Sequence, residues 1–148
     1  MDVTEIPFVE KVGITRSARG VLELPFGETI QNHLHTTHAS AQFALAETAS
    51  GEILQTIFPE LVGKGVAVLR ESQIRFKKPA TKTISAYPTV SDEAISKFRE
   101  QFKRKGRSSI FVNVEIKDSE NAATCAGTFK WFVQSIEQIE TARSTPGS

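Results

Sequence analysis

Helical periodicity dominates residues 39–58, an alanine-rich stretch that ends at Pro59. At about 100° per residue, its apolar positions gather on one face and its polar positions on the other. The apolar face carries Ala39, Ala46, Ala49, Ile53 and Ile57, and the opposite face carries Thr48, Glu52 and Gln55. Glu47 falls about 80° from the centre of the apolar face, beside Phe43 and Leu54. The pattern predicts one long helix with a carboxylate at the edge of its buried surface.

Alternation of apolar and polar positions predicts extended strands before and after this helix. The segments are residues 14–24, 66–76, 83–90, 108–117 and 123–133. The first is either one bent strand or a hairpin that turns near Gly20. Pro88 inside the third segment indicates an edge strand or a bulge, because proline cannot donate to a sheet hydrogen bond.

Two further helices are predicted, a short one after Pro7 and a basic one at residues 92–105 that ends at Gly106. A single long apolar helix against an antiparallel sheet is an α+β arrangement. Because small side chains cover a wide face of this helix, we expect the sheet to wrap around it. Residues 1–138 are expected to form one domain, and residues 139–148 a disordered C-terminal tail.

The composition is that of an ordinary globular protein, with 148 residues, 39% hydrophobic and 24% charged, and a formal net charge of +1. This charge argues against nucleic-acid binding through bulk attraction. No apolar run approaches the roughly 18 residues of a membrane span, and the first residues carry no signal-like apolar core. We therefore expect a cytoplasmic protein that binds neither nucleic acid nor membrane. Cys125, the only cysteine, is predicted to be a small core residue.

Two stretches of the sequence resemble those of a known family. Asn32, the run His38-Ala39-Ser40 and the Leu-Ala-Glu-Thr-Ala run at 45–49 resemble the Asn…His-Gly-Gly…Leu-Ala-Asp motif of hotdog-fold acyl-CoA thioesterases. The segment Ile-Arg-Phe-Lys-Lys-Pro-Ala at 74–80 is similar to that family's strand ending in an aromatic residue and a Lys-Pro turn. The resemblance covers nearly the whole chain and is closest to the PaaI-like branch, in particular the group of the YiiD C-terminal thioesterase domain. It implies a hotdog fold, in which five or six antiparallel strands wrap a central helix.

The resemblance implies hydrolysis of an acyl-CoA thioester with no separate cofactor, since coenzyme A is part of the substrate. Glu47 would be the general base or nucleophile, and the Ala39 amide would stabilise the oxyanion. Asn32 and His38 would complete the catalytic set. The candidate substrate-binding residues are Ser40, Phe43, Phe76, Lys77, Lys78, Arg104 and Arg107. Because hotdog sites lie between two subunits, a homodimer is also implied, in some relatives paired into a tetramer.

Two departures from the family's pattern argue against efficient hydrolysis. The glycines that follow the histidine in the family are Ala39 and Ser40 here. The strand position at which relatives carry a water-orienting Ser or Thr corresponds to Leu69, and strict alternation turns Ser72 to the other face. A non-catalytic acyl-CoA or lipid-binding hotdog protein is therefore the alternative prediction.

Each charged candidate also has a structural explanation. Glu47 could be a solvated residue on a helix flank, or could pair with Arg70 or Arg75. Positive charge is concentrated at residues 97–107 and at Lys77 and Lys78. A solvated surface and a site for the phosphates of coenzyme A explain these basic residues equally well.

Three histidines close together in sequence, His33, His35 and His38, are candidate metal ligands. No carboxylate or thiolate completes an obvious site, so no metal is expected. A structural hydrogen bond near the helix start is the favoured role for His38. The hotdog dehydratases pair a His-Phe-Pro-Gly loop with the helix carboxylate. The chain lacks that loop, which argues against dehydration.

Overall fold

The computed structural model describes residues 1–144 and, within them, four α-helices and six strands. The helices are α1 (Pro7–Val12), α2 (Ala39–Ile57), α3 (Asp92–Lys105) and α4 (Ile136–Arg143). The strands are β1 (Thr15–Arg16), β2 (Leu22–Leu24), β3 (Gly65–Phe76), β4 (Ile84–Thr89), β5 (Arg107–Asp118) and β6 (Ala123–Ser135). The first predicted extended segment is therefore a hairpin, β1 and β2, which turns at Gly20 with a φ of 82°.

One antiparallel sheet contains all six strands, in the order β1-β2-β4-β5-β6-β3. The chain crosses over after β3, so β3 pairs with β6 and not with its neighbour in sequence, β4. This leaves β3 at the edge, with no strand on its outer side among residues 1–144. Its exposed valines, Val66 and Val68, are each 43% accessible. Natural proteins usually cover or interrupt an edge of this length and composition.

The central helix α2 is buried on more than one side. Strands β4, β5 and β6 cover one face, and α1 packs on another. Thr48, predicted on the polar face, is buried, and its hydroxyl donates to the Ala44 carbonyl at 2.6 Å. Ala39, predicted on the buried face, is exposed. The periodicity was misleading here because the N-terminal segment covers the face that carries the polar residues.

Pro88 lies in β4, which is an inner strand of the sheet and not an edge strand. Strand β2 pairs only with Ile84 and Ser85 of β4. Beyond them, β4 has a neighbour on one side alone, and Pro88 faces Val114 of β5 across that side. The missing N–H is therefore tolerated because the other side has no strand to accept it.

A β-bulge at Arg70 changes which residues of β3 face the central helix. Leu69 pairs with Trp131, the next matched pair is Glu71 with Lys130, and Ser72 then pairs with Phe129. Directly paired residues lie on the same face of a sheet, and Phe129 is fully buried on the helix side. The bulge therefore turns Ser72 to the same face as Leu69, and the alternation argument that separated them was wrong.

Helix α4 follows β6 directly, and its first turn is capped by Ser135, whose hydroxyl accepts from the Gln138 amide at 3.1 Å. The tail predicted at 139–148 thus begins inside a helix that extends to Arg143, and positions 145–148 lie outside the described residues. None of the helices within residues 1–144 is both long and apolar enough to cross a membrane. A long central helix wrapped by a six-stranded antiparallel sheet is the hotdog fold, as predicted.

Candidate functional site

The start of α2 presents an unused backbone donor. His38 caps the helix, because its Nδ1 accepts the Ser40 amide at 2.9 Å, which is the structural role favoured for this histidine. Among residues 1–144, the Ala39 amide donates no hydrogen bond, and both Ala39 and Ser40 are exposed. A free amide at a helix N-terminus is oriented to receive negative charge.

The loop before α2 is shaped by Asn32. Its Oδ1 accepts the amides of Leu34 and Thr36 at 2.9 and 3.1 Å, and its Nδ2 donates to Thr36 Oγ1 at 2.9 Å. Asn32 therefore fixes the loop that ends at the α2 cap. His35 adopts a left-handed φ of 62° in this turn. In the described part of the chain, no group of three or more His, Cys, Asp or Glu side chains could hold a metal.

Glu47 is half-buried in the third turn of α2 and has no hydrogen bond or ion pair through its carboxylate within residues 1–144. The predicted alternative partners do not reach it. Arg70 lies over the Phe132 ring, 4.4 Å from its centroid, and Arg75 forms no ion pair among the described residues. Burial raises the pKa of the Glu47 carboxyl above its ordinary value of 4.5. An unpaired carboxylate with a raised pKa is typical of a functional base.

Glu47 forms part of the wall of a pocket of about 410 Å³. The other walls come from α2, the Gly65 end of β3, β6 and the segment before α1. They include Leu54 of α2 and Phe58 at its C-terminal cap, Gly65 and Ala67 of β3, Trp131 and Val133 of β6, and Val3 and Ile6. The walls are largely hydrocarbon, so the carboxylate is a polar group at the edge of an apolar cavity.

Ser50 connects Glu47 to this pocket. The Ser50 hydroxyl accepts from Trp131 Nε1 at 2.8 Å and donates to the Glu47 carbonyl at 2.7 Å. The next residue, Gly51, permits the indole to lie against the helix, because a Cβ there would lie 3.0 Å from Trp131 Cζ2. Sequence reasoning missed these three residues. A serine and a glycine in mid-helix, both unfavourable there, were the available signal of a close contact.

One chain does not bring the catalytic candidates together. Glu47 follows Ala39 by eight positions on one helix, which is about 12 Å at 1.5 Å per residue. The helix backbone therefore separates the Ala39 amide from Glu47 of the same chain by more than two turns. Phe43, between them, is half-buried against Phe129, with ring centroids 5.7 Å apart.

The basic candidates lie at two ends of the sheet. Phe76 pairs with Cys125 at one end, and Lys77 and Lys78 follow it. Arg104 and Arg107 lie at the opposite end, where Arg107 pairs with Gln134 of β6. Lys77, Lys78, Arg104 and Arg107 are all exposed. Of these, Lys78 has an ion pair in the described chain, at 3.9 Å from Asp118.

Comparison with known proteins identifies the family. The domain of unknown function DUF4442 matches residues 5–133, and the chain belongs to this family. A comparison with curated proteins finds no match.

Solved structures share the fold. A probable thioesterase from Pseudomonas aeruginosa is 21% identical with a TM-score of 0.77, covering 90% of this chain and 91% of its own. A Haemophilus influenzae thioesterase is 18% identical with a TM-score of 0.71, and the match covers 90% of this chain and 87% of that protein's. A Bacillus halodurans protein solved with CoA is 23% identical with a TM-score of 0.66, and the match covers 85% of this chain and 74% of that protein's.

Proposed function

We propose that the protein hydrolyses acyl-CoA thioesters at sites formed between two copies of the chain. The observation that carries this proposal is the Glu47 carboxylate, which is half-buried, unpaired within residues 1–144 and part of an apolar pocket. A buried carboxylate without a partner is costly to a fold and is retained where chemistry uses it. The thioesterases and the CoA-bound protein that share the fold agree with this function.

In the proposed reaction Glu47 is the general base. Its carboxylate takes a proton from water while the water oxygen attacks the thioester carbonyl carbon. The carbonyl oxygen becomes negative and is stabilised by the Ala39 amide and the positive end of α2. The carbon–sulfur bond then breaks, and the proton passes to the sulfur to give a free acid and coenzyme A.

The site requires two chains because of where α2 lies on the sheet. Gln42, near the start of α2, accepts a hydrogen bond from Thr124 at 2.9 Å, and Thr124 lies at the Phe76 end of β3. The pocket with Glu47 lies at the Gly65 end. Antiparallel pairing of two β3 edges about a twofold axis would bring the α2 start of one protomer to the pocket of its partner. The partner would thus supply Asn32 and the Ala39 amide.

The same pairing gives the basic residues a common role. Arg104 and Arg107 lie at the pocket end of the sheet, whereas Lys77 and Lys78 lie at the other end. In an antiparallel dimer, the two lysines of one protomer approach the two arginines of its partner. We assign all four residues to the phosphates of coenzyme A, and Ser40 and Phe76 to the path of the substrate near the thioester.

Two substitutions test the mechanism through release of free coenzyme A. Glu47→Gln removes the base and is expected to lower kcat by about 100-fold or more. Ala39→Pro removes only the amide, since proline is accepted at the first helical position, and is expected to lower kcat by about 100-fold. His38 already has a ψ of 138°, as a residue before proline requires.

Glu100→Gln is the matched control, because Glu100 is exposed on α3 and does not line the pocket. It should retain the parent rate. Light scattering on each variant reports the dimer, and whether dimers pair into tetramers. Full activity of Glu47→Gln with an intact dimer would disprove the mechanism.

A non-catalytic acyl-CoA or lipid-binding protein is the second candidate, favoured by Ala39 and Ser40 in place of two glycines. The exposed position of Ala39 and its free amide argue for hydrolysis. So does Ser72, which returns a hydroxyl to the helix side of β3. Binding of acyl-CoA by the parent protein without any release of coenzyme A would establish the second candidate.

A further inference from the structure

The pocket beside Glu47 has the size and lining of a site for a hydrocarbon chain. Its volume of about 410 Å³ lies within the range of small-molecule sites. Leu54 and Phe58 form one side and Val133 another. A charged group placed against these three side chains would lose its hydration without gaining a partner.

The width of the pocket depends on residues that lack bulk. Gly51 allows the Trp131 ring to lie close to α2, and the Ser50 hydroxyl holds the indole nitrogen in that position. Ala67 presents only a methyl group from β3. Its neighbour Val68 points to the other face of the strand, because side chains alternate there.

The N-terminal segment forms a further wall. Val3, which is 3% exposed, and Ile6 both line the pocket opposite the sheet. Arg16 holds this segment in place, since it lies 3.5 Å from the Asp2 carboxylate and forms a two-pronged pair with Glu52 of α2. The wall is therefore attached by charge to the helix that carries Glu47.

We propose that this pocket receives the acyl chain of the thioester. The preferred substrates are then acyl-CoAs with medium or long hydrocarbon chains, and the N-terminal segment limits the chain length. This inference rests on the proposed hydrolysis and adds the substrate class. Each methylene that enters the pocket should raise kcat/KM about fourfold, until the chain reaches the wall formed by Val3 and Ile6.

The test measures kcat/KM for acetyl-, butanoyl-, octanoyl-, dodecanoyl- and succinyl-CoA. The parent protein should prefer octanoyl- or dodecanoyl-CoA and discriminate against succinyl-CoA. Ala67→Leu fills the pocket and should lower kcat/KM for dodecanoyl-CoA about tenfold or more, while butanoyl-CoA changes little. Ala142→Leu adds the same bulk at an exposed position of α4 that does not line the pocket, and should leave the profile unchanged. Ile6→Ala opens the wall and should shift the optimum to longer chains.

The outcomes separate this inference from the proposed function. If hydrolysis depends on Glu47 but is equal for butanoyl- and dodecanoyl-CoA, and Ala67→Leu has no effect, the acyl pocket is refuted and the hydrolase stands. If no thioester is hydrolysed, the hydrolase is refuted, and calorimetric titration with dodecanoyl-CoA tests the pocket alone. Binding that Ala67→Leu weakens and Ala142→Leu does not would support the pocket, and absence of binding would overturn it.

Discussion

Replacing Ser50 with alanine tests how the turn that carries Glu47 is held against the pocket. Ser50 is fully buried, and its hydroxyl is the acceptor for Trp131 Nε1 at 2.8 Å. In Ser50→Ala the buried indole N–H loses this acceptor, which costs about 1–3 kcal/mol. The Glu47 carbonyl loses little, because it still accepts the helical amide of Gly51.

The expected magnitude can be measured directly. For a chain of this size, 1 kcal/mol corresponds to about 2–4 °C in Tm, so Ser50→Ala should melt roughly 2–12 °C below the parent. Unfolding in urea, followed by far-ultraviolet circular dichroism, gives the free energy. Ser109→Ala, at an exposed position of β5, is the control and should change stability by less than about 0.5 kcal/mol.

A double-mutant cycle isolates the hydrogen bond itself. In a Trp131→Phe background the donor is absent, so Ser50→Ala should cost about 1 kcal/mol less than in the parent. Equal costs in both backgrounds would refute the reasoning, because the destabilisation would then not come from the indole N–H.

Four further predictions concern Glu47, the β3 edge and Cys125. Because the base must be ionised, kcat/KM should rise with pH through the raised pKa of Glu47. A pH–rate profile should therefore show the acid limb of kcat/KM above pH 4.5. The folded state binds the Glu47 proton more tightly than the unfolded state does, so the charged carboxylate destabilises the fold above the raised pKa. Glu47→Gln should therefore raise Tm at neutral pH, and this increase in Tm should become smaller as the pH is lowered. Val68→Lys at the β3 edge should give inactive monomers in light scattering, although Glu47 is intact. Burial raises the pKa of the Cys125 thiol to about 11, so it should react with thiol reagents only after unfolding.

The sequence predicts the elements of this fold well because their signals are local. The alternation in β5 and the helical periodicity in α2 arise within each element, because they reflect which of its own residues are buried. The crossover that places β3 beside β6 depends on pairing between distant segments, which local periodicity does not encode. The bulge at Arg70 cannot be recognised from the sequence pattern either. One extra residue leaves the composition of the strand unchanged, but it turns every later side chain to the opposite face.

The candidate site was predicted in part. Glu47 was predicted from its position on the helical wheel together with the motif. That it does not pair with Arg70 could be seen only in the structure, where Arg70 lies over the Phe132 ring. The pocket walls were missed because Val3 and Ile6 are distant in sequence from α2. Their apolar character indicated burial but not the element against which they pack.

Because Glu47 and Ala39 lie about 12 Å apart on one helix, each active site of a dimer would take one group from each chain. A mixed dimer of a Glu47→Gln chain and an Ala39→Pro chain would place both defects in one site and leave the other whole. Random exchange would make about half of the dimers mixed, so two inactive preparations should together recover about one quarter of the parent activity. Two damaged copies of this protein would thus complement each other, a property that a site contained in one chain does not have.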